Sequence, residues 1–79
     1  MSPRLPAVRP RQVVRVLERR GWRLDRTTGS HQVFVHDAIR HPVVVPMHGR
    51  DLGRGLLVRI LQDAEITREE FLKLLRRRT

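Results

Sequence analysis

Between Trp22 and Met47 the chain carries three short apolar runs joined by connections too short to hold a helix. Trp22 to Arg26 alternates apolar and polar residues, which predicts a half-buried strand. Thr27 to Ser30 reads as a turn. His31 to Asp37 is the second strand, with Val33 and Val35 on the face of His31 and Phe34 and His36 on the other. Pro42 to Met47, built on Val43-Val44-Val45, is the third. Ala38 to His41 leaves no room for a crossover helix, so the strands are expected to be antiparallel. Pro46 has no N–H to donate and points to an edge position.

Helices flank these strands. Pro10 suits a first turn, and Val13, Val16 and Leu17 recur at helical spacing, so Pro10 to Arg20 reads as an amphipathic helix. Gly21 stands where a left-handed cap belongs. Leu56, Leu57, Ile60, Leu61 and Ala64 form one stripe on a helix from Arg54 to Ala64. Thr67 and Glu70 make a capping box before a shorter third helix with Phe71, Leu72, Leu74 and Leu75 on its buried face. The class is α+β: one helix, a three-stranded antiparallel sheet, then a long and a short C-terminal helix. Residues 1–9 are expected to be a flexible basic arm, because Pro3 and Pro6 break any helix, with 10–79 as one domain.

Charge narrows the partners. Seventeen basic residues face eight acidic ones, for a net charge of +9. Residues 1–26 hold eight arginines against Glu18 and Asp25, residues 27–66 are balanced, and residues 67–79 are basic again. All four histidines lie in the neutral middle. The two ends are therefore suited to hold a polyanion on which the middle acts. The chain has no cysteine, in keeping with a reducing compartment. No apolar run approaches the roughly 20 residues of a membrane span, and the first residues lack a signal peptide's apolar region. A soluble, cytoplasmic protein with no membrane contact is expected.

Gly29-Ser30-His31 is the segment that points to chemistry. A glycine permits a sharp bend or a close approach to a ligand. The hydroxyl and imidazole that follow stand at the edge of a rigid sheet. RNA carries its own nucleophile, the 2′-OH. A protein that cleaves it needs to take that proton, hold the charged phosphorus centre and let the 5′ oxygen leave. Histidine titrates near neutral pH and suits the proton transfer, and arginines suit the charge. Such chemistry needs no metal or other cofactor.

Each candidate has a plainer reading. His31 is either the proton-transfer group or a turn-edge histidine bonded to backbone. Ser30 either orients His31 and contacts phosphate or is an ordinary turn residue, and Gly29 serves backbone geometry. His48 is a second acid or base, or simply a strand-end histidine. Arg50 and Arg54 precede the second helix, whose N-terminus favours phosphate. Arg11, Arg15, Arg19, Arg23 and Arg26 are either a basic track or a solvated face. His36 and His41 read as solvated, and Trp22 as core.

These residues fall into a known order. Gly21-Trp22 after the first helix, Gly29-Ser30-His31, Val45-Pro46-Met47-His48, then Leu52, Gly55, Leu57, Ile60 and Leu61, and finally Ala64-Glu65-Ile66-Thr67 resemble the HicA (YcfA-like) family of bacterial toxins. The resemblance runs from about Arg9 to Leu75. It implies a double-stranded-RNA-binding-domain-like fold and a type II toxin that cleaves mRNA. It also implies His31 as the catalytic residue and a HicB-family antitoxin as partner. Leu56 stands where the family often has Thr or Ser, and Glu65 where it often has Gly, so the second helix is expected to end without a left-handed glycine cap. The competing function is a non-catalytic module that binds duplex RNA by shape and phosphate contacts.

Overall fold

The computed structural model of the chain describes residues 4–47 and 49–77. Its elements are α1 (Pro10–Arg19), β1 (Arg23–Thr28), β2 (His31–His36), β3 (Ile39–Pro46), α2 (Arg54–Asp63) and α3 (Arg68–Arg76). The strands form one antiparallel sheet in the order β1-β2-β3, so β3, with Pro46, is an edge strand. Two-residue turns, Gly29-Ser30 and Asp37-Ala38, close the two hairpins.

The strand register divides the sheet into two unlike faces. Phe34 lies opposite Val43, and Gln32 opposite Val45. Phe34, Val43 and Val45 are buried in the core with Val13, Val16 and Leu17 of α1, Leu57, Ile60 and Leu61 of α2, and Phe71 of α3. Both α1 and α2 pack on β3, and α3 packs on α1. Every helix therefore lies on this one side of the sheet. On the other face His31 lies opposite Pro46 and Val33 opposite Val44.

Two expectations are corrected here. β1 is exposed along its whole length rather than half-buried. Trp22, just before it, supplies the buried residue, while Leu24 stays 47% exposed. The cause is the helix layer, which seats on β3 and leaves the β1 side of the sheet uncovered. The N-terminal segment is not a loose arm over residues 4–9. Leu5 and Val8 are core residues, and the Leu52 N–H donates to the Val8 carbonyl at 2.8 Å. Burial of these two apolar side chains outweighs the lack of regular structure around Pro6. Residues 1–3 of the expected arm lie outside the described residues.

The first two helices end in the same way. After α1 the Gly21 N–H donates to the Glu18 carbonyl at 3.1 Å, and the Trp22 N–H to the Leu17 carbonyl at 3.0 Å. After α2 the Glu65 N–H donates to Gln62 at 3.1 Å, and the Ile66 N–H to Leu61 at 2.9 Å. Both are Schellman caps, each with a buried residue just past the turn. Gly21 takes the left-handed position at φ 91°, and Glu65 takes it at φ 57°. α2 thus ends without a glycine cap, as expected, yet keeps the left-handed turn on a residue with a Cβ. The pull comes from Ile66, which is buried with Leu61 in the core.

α3 starts on the capping box read from the sequence. Thr67 Oγ1 accepts from the Glu70 N–H at 3.1 Å, and Glu70 Oε1 accepts from the Thr67 N–H at 3.1 Å. That backbone hydrogen bond, with help from Arg20, holds the Glu70 carboxyl below its usual value of 4.5.

Two predictions follow from these caps. Glu65→Gly removes a left-handed strain of about 1–2 kcal/mol and adds about 0.5–1 kcal/mol of unfolded-state entropy. A net gain of up to about 1.5 kcal/mol is expected in urea unfolding. Because its folded pKa is depressed, Glu70 contributes stability that is present above its unfolded value and lost as pH falls through the folded one. Glu70→Gln should therefore lower stability at pH 7 and flatten the acid limb of a stability–pH curve measured below about pH 4.5.

Candidate functional site

The hairpin between β1 and β2 presents the site. Thr28 pairs with His31, and between them Gly29 has φ 59°, the only positive φ in this two-residue turn. That is the pattern of a type II′ turn, which calls for glycine at its first position. A Cβ on Gly29 would meet nothing within 4 Å, so within the protein this glycine serves backbone conformation rather than close packing. The Ser30 carbonyl accepts from the Met47 N–H at 2.6 Å, which ties the turn to the end of β3. Ser30 and His31 are both exposed. His31 thus heads the central strand, with Thr28 beside it on β1 and Pro46 on β3.

Met47 leads to a second group of residues. With Gly49 it lines a cleft of about 400 Å³ whose other wall is Arg9, Pro10, Arg11 and Gln12 at the start of α1. Gln12 Oε1 accepts from the Arg9 N–H at 2.8 Å and holds that helix start in place. Arg50 lies in the following bend, and Arg54 opens α2 after the N-cap Gly53, which offers no side chain to cap the helix. Arg9, Arg11, Arg50 and Arg54 are all exposed. The fold therefore brings the His31 turn, the loop after β3 and the start of α1 together. Arg9 was not legible as a site residue, although its place immediately before Pro10 marks it as the N-cap of α1. His48, the other histidine candidate, lies outside the described residues.

The arginine track resolves into separate roles. Arg19 Nη1 donates to the Leu74 carbonyl at 2.6 Å and fastens α1 to α3. Arg20 pairs with Glu70 at 3.2 Å, Arg23 with Asp37 at 2.7 Å and Arg26 with Asp25 at 2.7 Å. The hydrogen bond from Arg23 and its charge lower the Asp37 carboxyl from its usual 3.8. Arg11 and Arg15 are exposed and make no ion pair among the described residues.

The reading of His36 as a solvated residue is corrected. Its ring is half-buried and sits 5.2 Å from the buried Trp22 ring. Nδ1 accepts from the Ala38 N–H at 3.0 Å, so the proton of the neutral ring is on Nε2, which donates to the Arg20 carbonyl at 2.9 Å. His36 ties the end of α1 to the β2–β3 turn, and Gly21 leaves room for it. A Cβ there would come within 3.1 Å of Nε2. His41 is exposed on β3.

Among the described residues, no three His, Asp or Glu side chains cluster closely enough to hold a metal ion. No helix among them is long and apolar enough to cross a membrane.

None of the curated proteins matches the chain. A family model described as the HicA toxin of bacterial toxin–antitoxin systems matches residues 10–66. The match spans α1, the whole sheet, α2 and its left-handed cap.

The two histidines of β2 should separate in a stability assay. His36→Ala is expected to cost about 1–2 kcal/mol in urea unfolding, because it removes packing and two hydrogen bonds. His31→Ala, at an exposed position, should cost less than His36→Ala.

Proposed function

The chain belongs to the HicA toxin family of bacterial toxin–antitoxin systems, and from that premise we propose that it is an endoribonuclease that cleaves mRNA with His31 as its catalytic residue. The observation that carries the reading is the presentation of His31. A glycine turn, knotted to the end of β3, holds an exposed imidazole at the head of the central strand beside arginine-bearing segments.

The chemistry follows from the substrate. The imidazole takes the proton of the 2′-OH. The 2′ oxygen closes on the adjacent phosphorus as the P–O5′ bond breaks, and the proton passes to the departing 5′ oxygen. One product ends in a 2′,3′-cyclic phosphate and the other in a 5′-OH. Arg50 and Arg54, and the Arg9 and Arg11 of the facing cleft, hold the phosphate charge that builds during the step. Gly29 shapes the turn, and Ser30 fixes it through its carbonyl with its hydroxyl turned to orientation or phosphate contact. His48 is the candidate for a second proton-transfer group. The RNA supplies the nucleophile, so the step calls for no metal.

Membership in the family also entails an antitoxin partner. A HicB-family protein that covers this arginine-rich site in the cell is the partner proposed, and the cytoplasm, where mRNA and antitoxin are made, is the compartment.

Purified wild-type protein and His31→Ala, incubated with a defined RNA and resolved on a gel, test the assignment. His31→Ala is expected to lower the rate by about 10²–10⁴-fold, EDTA to leave the wild type unaffected, and the fragments to carry cyclic phosphate ends. Cleavage at the wild-type rate by His31→Ala removes the assignment. RNA binding with no cleavage by the wild type leaves the duplex-binding module instead.

A further inference from the structure

We propose that the helix-free face of the sheet is a binding surface for single-stranded RNA, with Arg26 on its phosphate and Val44 beneath its bases. This rests on the reading of His31 as the cleavage centre and names the path of the substrate past it.

The face is continuous with His31. Along β2 it carries His31, Val33 and Val35, along β3 Val44 and Pro46, and along β1 Arg23, Arg26 and Thr28. The residues beside His31 are therefore Thr28 and Pro46, and the next row is Arg26, Val33 and Val44. Val33 is buried yet stands apart from the core that the helices cover, and Val44 is 43% exposed. Pro46 is buried as well, so the exposed aliphatic surface in these rows is Val44, with cations along one side.

A β-bulge sets the sign of that side. Leu24 lies opposite Phe34, but the register shifts at Asp25, so that Arg26 lies opposite Val33. Without the shift Asp25 would take that place, and Arg26 would move to the face that the helices cover. The extra residue exchanges a carboxylate for a guanidinium in the row next to His31.

This face favours an unpaired strand. A duplex offers this surface only its backbone, whereas a single strand offers its bases. Trp22, Phe34 and Phe71 are the chain's three aromatic residues, and all are in the core. The apolar contact this face offers a base beside His31 is therefore Val44, an aliphatic surface without hydrogen-bonding groups to read a base edge. The ion pairs of Arg26 with Asp25 and of Arg23 with Asp37 are largely exposed. Such pairs contribute little stability, and a phosphate replaces the carboxylate.

The test is the affinity and salt dependence of a single-stranded 2′-O-methyl oligoribonucleotide, which lacks the 2′ nucleophile and stays intact. Arg26→Ala should weaken binding about fivefold and reduce the slope of log K against log salt by about 0.7, the loss of one single-strand phosphate contact. Val44→Glu should weaken it about tenfold through the loss of a base contact and an added negative charge. Asp25→Asn should tighten it about threefold by releasing Arg26. No binding by the wild type, or unchanged affinity and slope in all three variants, overturns the proposal. So does tighter binding of the matched duplex. Variants that keep RNA but lose the antitoxin assign the face to protein and overturn it as well. Cleavage of unmodified RNA by the wild type, scored in parallel, reports separately on His31.

Discussion

Burial of Phe34, Val43 and Val45 beneath α1 and α2 is the interaction on which the rest of the molecule depends. The chain has no disulfide and one small core, so the sheet gains its hydrophobic contact from a single side. Once that side is chosen, period-two alternation sets the other face of β2 from His31 to Val33 and of β3 from Val44 to Pro46. His31, Val33 and Val44 face away because Phe34, Val43 and Val45 face in. The position of the candidate catalytic group is thus a by-product of core packing, and a one-residue slip of β2 would bury it.

The same packing sorts the charges. A net charge of +9 suggests a uniformly cationic surface, yet the arginines divide into working groups. Arg19 and Arg20 hold α3 against α1 through a carbonyl and a carboxylate. Arg23 and Arg26 are countered by neighbouring acids at the sheet edge. Arg9 and Arg11 line the cleft next to the His31 turn. Part of the basic content therefore does structural work.

What was legible in the sequence was what local rules control. The apolar stripes of α1 and α2, the Thr67–Glu70 box, the Gly21 cap and the edge position of Pro46 all depend on neighbours in the chain. Gly29-Ser30-His31 was legible for the same reason, since a glycine turn before a strand is a local signal. The misses are tertiary. Leu5 and Val8 lie among prolines with no periodicity, and only the finished core shows where they go. The exposure of β1 reflects where the helices seat and not its own alternation. His36 reads as solvated from its neighbours in the chain, and only the finished fold brings Arg20 and Trp22 beside it. The bulge at Asp25 leaves no mark in the residue pattern. The left-handed Glu65 shows a tertiary demand, the burial of Ile66, overriding a local preference.

A three-stranded sheet ends in two edges, and an open edge invites another strand to add to it. Here each edge is guarded by a different device. On β3, Pro42 and Pro46 remove two N–H donors from an eight-residue strand. On β1, the bulge breaks the regular spacing, and Arg23 and Arg26 flank it with charge. Both devices oppose extension of the sheet and association edge to edge. Recognition of this protein thus falls to its faces and clefts, where side chains rather than a shared backbone ladder decide which molecule is accepted.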